Sequence, residues 1–186
     1  MSVTREKILE LGETLIRTKG YNAISYQDIS SELGIKNAAI HYYFPSKKNL
    51  GTSIVKTNIQ RFEEMVENME GRGFNEWQQL EVFVKIYIKS HREKKKCVVG
   101  SFSPDFKTLD DSTRKELRKM VGMILTWLAD LLEKGRENGA FSFTDSAESK
   151  ALVIFSSLVA SLQLSGVLGK LDYKSYTQSL LDDLKP

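Results

Sequence analysis

Residues 25–50 read SYQDISSELGIKNAAIHYYFPSKKNL, and this pattern predicts two short helices joined by a tight turn. Ser25 can cap the first helix, because its hydroxyl can accept from the amide near Asp28 while the Asp28 carboxylate favours the positive helix start. Gly34 follows that helix and can adopt the positive φ with which many helices end. The segment therefore predicts a helix-turn-helix.

The second helix of the pair is expected over about Asn37 to Tyr43, with Ile40 and Phe44 directed to the core. It should end before Pro45, because the residue before a proline avoids helical geometry. Ser46 can then cap the next helix. The exposed face of this second helix would be small, polar and aromatic, which suits a DNA major groove about 12 Å wide.

The surface offered to DNA has two expected parts. Side chains at the helix start can reach base edges or touch a thymine methyl, whereas surrounding hydroxyl and ammonium groups can position the protein on phosphates. The candidates for DNA contact are Ser25, Tyr26, Lys36, Asn37, Ala38, Ala39, His41, Tyr42 and Lys47. Within this set Lys36 and Asn37 are predicted to read base edges, and Lys47 to contact a phosphate.

This segment resembles the DNA-binding domain of the TetR family of bacterial transcriptional regulators. In that family a glycine-ended helix precedes a short recognition helix, a Tyr-Phe pair and a Pro-Ser-Lys start to the next helix. The matching residues here are Leu33-Gly34-Ile35, Asn37 to Tyr43, Tyr43-Phe44 and Pro45-Ser46-Lys47. One position departs from the pattern, because His41 stands where the family usually has a tyrosine.

The resemblance implies an all-α protein of about nine helices. An N-terminal three-helix DNA-binding domain with the helix-turn-helix is expected at residues 1–46, and a helical ligand-binding and dimerisation domain at 47–186. The spacing of apolar residues predicts the helices themselves. Outside the motif they are expected at 4–19, at 47–70, from Asn75 to the basic run at 92–96, at 112–137, from Asp145 onward and at 173–184.

The segment 151–169 contains no charged residue and is long enough to cross a bilayer. Its serines and Gln163 make it too polar for a lone membrane span, so no membrane partner is predicted. We expect a helix buried on nearly all sides, most economically in a homodimer interface, because a palindromic DNA site requires a two-fold symmetric protein. In the resembling family the last two helices pair with their mates as a four-helix bundle.

The resemblance also implies a pocket for an unknown small-molecule effector in the C-terminal two thirds of the chain. Aromatic walls with a few polar groups are typical of such sites. The candidates are Trp77, Phe83, Tyr87, Phe102, Phe106, Met123, Trp127, Phe155 and Gln163. Each of them also fits an ordinary place in the hydrophobic core, and the sequence does not identify the effector.

Cys97 is the single cysteine, so it cannot form an internal disulfide. It follows a basic run, and Lys94, Lys95 and Lys96 would favour its reactive thiolate if they faced it. Some members of the resembling family respond to electrophiles through a cysteine in a similar setting, which makes Cys97 a candidate redox or electrophile sensor. A buried, inert thiol is the alternative. The N-terminus lacks an apolar signal core, so a cytoplasmic protein is expected.

Charge and motif content narrow the class of function. The net charge of +3 arises within residues 1–60, which carry eight Lys or Arg against five Asp or Glu. This distribution favours a nucleic-acid partner for the motif-bearing segment. His41 and His91 lie in different predicted helices without further ligands at metal-site spacing. No phosphate-binding loop or nucleophile elbow occurs.

We therefore predict neither an enzyme nor a cofactor-binding or metal-binding protein. The expected function is a ligand-responsive repressor that binds double-stranded DNA at an inverted-repeat operator and is released by a small molecule or electrophile. It is expected to act as a homodimer formed through its last two helices. A helical dimeric interaction module that no longer binds DNA is the alternative.

Overall fold

The computed structural model describes residues 5–186, and their regular structure is entirely helical, which confirms the predicted fold class. The elements are α1 (Arg5–Lys19), α2 (Tyr26–Leu33), α3 (Asn37–Tyr43), α4 (Lys47–Gly71), α5 (Glu76–Arg92), α6 (Val98–Phe102), a 3₁₀ helix (Ser103–Thr108), α7 (Asp111–Glu137), α8 (Ala147–Leu168) and α9 (Tyr173–Asp182). Thr4, the predicted first residue of the first helix, lies outside the described residues.

The chain divides into two compact units. The first contains the described residues up to Arg61 together with Val98–Met120, and the second contains Phe62–Cys97 together with Val121–Pro186. Each unit is therefore built from two separate stretches of sequence. The predicted boundary between residues 46 and 47 divides the expected DNA-binding domain from the expected ligand-binding and dimerisation domain. It is defined by function and not by packing, and it stays a prediction.

The core of the first unit forms where α1, α2 and α3 bury their apolar faces. Gly51 on α4 permits a close approach at this core, because a Cβ atom there would lie 2.8 Å from Tyr21 Cε2. The Tyr21 ring also packs against Phe102, with ring centroids 5.1 Å apart. Fully or nearly fully buried side chains in this unit include Ile8, Ile16, Ile29, Ile40, Phe44, Leu50, Ile54 and Phe102.

Glu13 is a buried carboxylate that joins α1 to α4 in the first unit. Its oxygens lie 2.7 Å from Arg61 Nη1 and 3.3 Å from Arg17 Nη1, and its side chain is only 7% exposed. A buried charge is tolerated when it is paired and hydrogen-bonded in this way. The Arg61 pair therefore links α1 to the middle of α4, while Arg17 pairs with Glu13 within α1.

The loop between α1 and α2 is held from far along the chain. The Asn22 backbone N–H donates to Asp105 Oδ2 at 2.9 Å, and the Asn22 side-chain amide donates to Thr108 Oγ1 at 2.8 Å. Both acceptors belong to the 3₁₀ helix. Within this unit the loop before α2 is thus held by residues that follow Asn22 by 83 and 86 positions.

The core of the second unit contains an aromatic cluster with one ring each from α4, α5 and α7. The Phe62, Phe83 and Trp127 rings form a cluster with centroid separations of 5.3 to 6.4 Å. Farther along, the Phe141 ring packs on Trp77 at 4.8 Å. Gly135 makes room for this ring, since a Cβ atom there would lie 2.2 Å from Phe141 Cδ2.

The helix α8 begins at Ala147, two residues later than predicted. Its N-cap is Ser146, whose hydroxyl accepts from the Ser149 N–H at 3.2 Å, rather than Asp145. Within the single chain α8 packs against α5 and α9, and its predicted burial in a homodimer interface stays a prediction. Apolar side chains that remain exposed are Leu152, Val153, Leu164, Val167 and Leu168.

By length and composition alone, α8 is also apolar enough to span a bilayer. Core helices of globular proteins meet the same criterion, so this is weak support for a membrane segment. The last helix ends at Asp182, two residues before the predicted Leu184. Leu184 is nevertheless fully buried, and its carbonyl accepts from the Ser142 N–H at 2.8 Å.

Candidate nucleic-acid interface

The start of α2 is organised by Asp28. Its carboxylate accepts from the Ser25 N–H at 2.7 Å and from the Ser25 hydroxyl at 2.6 Å. These hydrogen bonds are the main reason why the pKa of Asp28 is lowered, with a smaller contribution from Lys19. The predicted reach of Asp28 back to the helix start is confirmed, and it anchors the first helix of the pair in an exposed position.

The turn between α2 and α3 has the predicted geometry. Gly34 adopts φ 67° and ψ 34°, in the left-handed region that a glycine enters without strain. The chain then reverses, with the Ile35 N–H donating to the Ser30 carbonyl at 3.0 Å. Across the turn, the Asn37 side-chain amide donates to Gln27 Oε1 at 3.3 Å, which links the exposed faces of the two helices.

The helix α3 has the predicted bounds and is seated by two side chains. Ile40 is fully buried and Phe44 is 1% exposed, so one side of the helix is fixed in the core. The opposite side faces outward, and Tyr42 is 81% exposed. The other predicted contact residues on this helix and its N-cap, namely Lys36, Asn37, Ala38 and His41, are exposed, while Ala39 is half-buried.

Tyr26, the first residue of α2, contacts α3 and the residue that ends it. Its hydroxyl donates to the Phe44 carbonyl at 2.8 Å, and its ring packs edge-on to His41 with centroids 4.9 Å apart. Burial, followed by the nearby Tyr21, raises the pKa of Tyr26. The hydroxyl hydrogen is therefore used within the protein, and the predicted contact of Tyr26 with DNA would require this bond to break.

Lys47, the predicted phosphate contact at the start of α4, is turned inward. Its ammonium lies 4.7 Å from the centre of the Tyr21 ring and 3.5 Å from the Asn22 carbonyl oxygen. Burial lowers the pKa of Lys47, while Asp105 and Asp28 oppose that shift. A phosphate would have to compete with this cation–π contact. The sequence does not indicate this cation–π contact, because Tyr21 and Lys47 meet only in the folded unit.

Arg5 is a cation near α3 that the sequence motif does not indicate. Its guanidinium lies 4.9 Å from the centre of the Phe44 ring, at the C-terminal end of α3, and the residue is exposed. The motif begins 20 residues later, so only the packing of α1 brings this charge to the same surface. A permanent positive charge in this place adds to the attraction for phosphates.

The residues predicted to line an effector pocket belong to both packing units, and their role in a pocket stays a prediction. Phe83, Tyr87 and Trp127 are neighbours in the aromatic core of the second unit. Phe102 and Phe106 belong to the first unit. The remaining members all lie in the second unit, where Phe155 is buried and Trp77, Met123 and Gln163 are half-buried.

The second unit also has a groove of about 460 Å³ between α5 and α9. Its apolar lining includes Trp77, which belongs to the predicted set, together with Val84, Ile88 and Leu181. Lysines and Glu81 form the polar part of its rim. The volume lies within the range of small-molecule sites, which is about 300–1,000 Å³.

Cys97 directly precedes α6 and is buried, with 9% of its surface exposed. Its phenolic neighbours are Tyr87 and Tyr173: burial raises the pKa of both tyrosines, and proximity to the thiol contributes. Lys95, in the preceding basic run, pairs with Glu93 at 3.2 Å. Burial agrees with the inert alternative for this thiol, and the sensor role stays a prediction.

A helix-turn-helix with an exposed second helix, attached to a larger helical unit, defines the class of DNA-binding transcriptional regulators. Three comparisons with known proteins make the assignment more specific. Residues 8–52 match the family described as bacterial regulatory proteins, tetR family. A TetR transcriptional regulator from Legionella pneumophila has the same fold, with a TM-score of 0.86 and 28% identity over 100% of this chain and 99% of that one.

Two curated relatives cover most of the chain. The HTH-type transcriptional repressor NemR of Escherichia coli K12 is 25% identical over 161 residues, which are 82% of this chain and 78% of NemR. An uncharacterised HTH-type regulator of Lactococcus lactis is 28% identical over 139 residues, which are 73% of this chain and 67% of the relative. The family match over residues 8–52 and these relatives support a transcriptional regulator of the TetR type.

Proposed function

We propose that this chain is a cytoplasmic repressor that binds an inverted-repeat operator as a homodimer and is released by a small molecule. The observation that carries the proposal is the seating of α3. Buried Ile40 and Phe44 hold one side of the helix, while Tyr42 and its exposed neighbours form a face of the shape and polarity that a major groove accepts.

Base recognition is assigned to the start of α3. Recognition helices contact base edges chiefly through their N-terminal residues. Lys36 and Asn37 hold that position and are exposed, so their side chains are the proposed readers of sequence. Ser25 and Tyr42 border the same face and are proposed to lie near phosphates, which orient the helix without reading bases.

Dimerisation is assigned to α8 with α9. The exposed apolar side chains of α8 occur on two segments, one at Leu152 and Val153 and one at Leu164, Val167 and Leu168. An apolar surface of this kind on a water-exposed helix marks a site of association. A two-fold dimer built on it would place two copies of α3 on half-sites separated by one helical turn of DNA or a multiple of it.

The effector is proposed to bind in the second unit. The groove between α5 and α9 has the volume of a small-molecule site, and its Trp77 and Leu181 side chains offer apolar contact. Reaction of an electrophile with Cys97 is the alternative route of release. Alkylation of the folded protein followed by mass spectrometry distinguishes the two, since an unmodified Cys97 contradicts the second route.

The test of DNA binding is selection from a random-sequence duplex pool by the purified protein at two salt concentrations. We expect enrichment of an inverted repeat that binds more weakly at the higher salt, because phosphate contacts release counterions. A folded dimer that enriches nothing at either concentration would contradict the proposal and favour an interaction module.

A further inference from the structure

The His41 ring has one nitrogen engaged within the protein. Nδ1 lies 3.0 Å from the Pro45 carbonyl oxygen. A carbonyl oxygen only accepts, so Nδ1 must carry the hydrogen. Nε2 is then the nitrogen left for a ligand, and its character depends on protonation: it accepts in the neutral ring and donates in the imidazolium.

The position of His41 favours contact with the DNA backbone rather than with the base edges. His41 is the fifth residue of α3, past the N-terminal residues that reach bases in this motif. Its exposed ring rests on Tyr26, the first residue of α2, at 4.9 Å. Because the first helix of a helix-turn-helix crosses the DNA backbone, a side chain packed against the start of α2 lies on the phosphate side.

A phosphate discriminates between the two forms of the ring. Phosphate oxygens only accept, so the lone pair of a neutral Nε2 would face them without a hydrogen bond. The imidazolium offers both an N–H donor and a positive charge, which together make a charge-assisted hydrogen bond. Resting on the DNA binding proposed above, we propose that His41 contacts an operator phosphate through Nε2 as the imidazolium, so that each subunit takes up one proton when it binds DNA.

The groups around His41 leave this ring as the one expected to change charge. From α2 it meets Tyr26, whose raised pKa and bond to the Phe44 carbonyl keep the phenol neutral. From α1 the Arg5 guanidinium lies over Phe44, and it is charged at every relevant pH. From α4 the Lys47 ammonium is turned away onto Tyr21.

The sign of the effect follows from the protonation state required for contact. Histidine side chains change charge between pH 5 and 8, and a contact that requires the imidazolium is favoured at the lower end of that range. Affinity for DNA should therefore rise as the pH falls. With two subunits bound, we expect an increase of about tenfold or more between these values, since each linked proton gives at most tenfold per pH unit.

The experiment uses the full chain and an inverted-repeat duplex selected by it near pH 7. Affinity is measured by fluorescence anisotropy near pH 6 and pH 8 at constant salt. We expect the wild type to show the increase and His41→Gln to change by less than about twofold. His91→Gln is the matched control, because His91 is the other histidine of the chain and lies on α5, and it should keep the full pH dependence.

Two further readouts separate a phosphate from a base contact. Near pH 6 the slope of log affinity against log salt should be shallower in His41→Gln than in the wild type, by about 0.9 for each phosphate that the imidazolium neutralises. Replacing single phosphates of the duplex with uncharged methylphosphonate should abolish the pH dependence at one position in each half-site.

Three outcomes would overturn the inference. Equal pH dependence in the wild type and His41→Gln would place the proton elsewhere. Tighter binding near pH 8 would mean that neutral Nε2 accepts from a base amino group. Binding that does not depend on pH would reject proton uptake at His41 while leaving the proposed DNA-binding function intact. Failure to select any duplex would reject both the proton uptake and the DNA-binding function.

Discussion

At the scale of single residues, Asn37 offers the sharpest test of sequence reading. It is the first residue of α3, it is exposed, and its side chain is held toward Gln27 at 3.3 Å. We expect Asn37→Ala to relax the preference at one base position and to cost about 1–3 kcal/mol there, as loss of a bidentate base contact does. Binding to a panel of single-base operator variants measures this.

The matched control is Asn68→Ala, which removes the same amide from an exposed position on α4. It should leave both affinity and sequence preference unchanged. If Asn37→Ala keeps the wild-type preference at every position, Asn37 does not take part in recognition.

Also at this scale, Arg61 is expected to stabilise the first unit through buried Glu13. Removing one partner of a buried ion pair costs several kcal/mol, but Arg61 is 48% exposed and Arg17 remains as a second partner. We therefore expect Arg61→Ala to lower the free energy of unfolding by about 1–2 kcal/mol in urea titrations. Lys85→Ala, which removes an exposed pair with Glu81, should change it by less than about 1 kcal/mol.

At the scale of helices, α7 contains two glycines that should respond oppositely to the same substitution. A Cβ atom at Gly135 would lie 2.2 Å from Phe141, whose ring is held by Trp77, so Gly135→Ala should destabilise by about 1–3 kcal/mol. A Cβ atom at Gly122 meets nothing within 4 Å, so Gly122→Ala should stabilise by up to about 1 kcal/mol through helix propensity.

Thermal unfolding measures both variants, and about 2–4 °C is expected for each kcal/mol in a chain of this size. Equal shifts in the two variants would mean that Phe141 moves aside without cost.

The helices also show how far sequence reasoning reaches. The bounds of α3 were predictable because Gly34, the buried pair Ile40 and Phe44, and Pro45 act locally. The start of α8 was predicted at Asp145 but lies at Ala147, since neighbouring Asp145 and Ser146 are both good caps. Contacts such as Lys47 on Tyr21 were not predictable, because they join residues that are distant in sequence and carry no local pattern.

The candidate interface was also easier to predict from the sequence than the candidate pocket, because one depends on local pattern and the other on distant contacts. The exposed face of α3 is a property of one amphipathic helix, so it can be inferred from spacing alone. A pocket depends on how several helices pack, and aromatic residues chosen by type fell into two different packing units. The exposed face of α8 was likewise hidden, because composition does not distinguish burial by its own chain from burial by a partner.

At the scale of the whole molecule, assembly should depend on the exposed face of α8. We expect Val167→Asp combined with Leu164→Asp to convert a dimer into a folded monomer, because two buried charges would have to face each other across the two-fold axis. Sedimentation velocity gives the oligomeric state, and circular dichroism confirms the helical content. Loss of the dimer should also abolish tight operator binding.

The control is Ile86→Asp, since Ile86 is an exposed apolar residue on α5, outside the proposed interface. It should remain dimeric. A dimer that survives the double substitution on α8 would place the interface elsewhere on the chain.

The hydrogen bonds that Asn22 donates to Asp105 and Thr108 have a consequence for folding during synthesis on the ribosome. The segment that precedes α2 leaves the ribosome more than 80 residues before the groups that hold it. At about 5–20 residues per second this delay lasts about 4–16 s. During that interval the nascent helices expose apolar faces meant for partners not yet made. The first unit is therefore completed late, and folding helpers have time to bind it before its core closes.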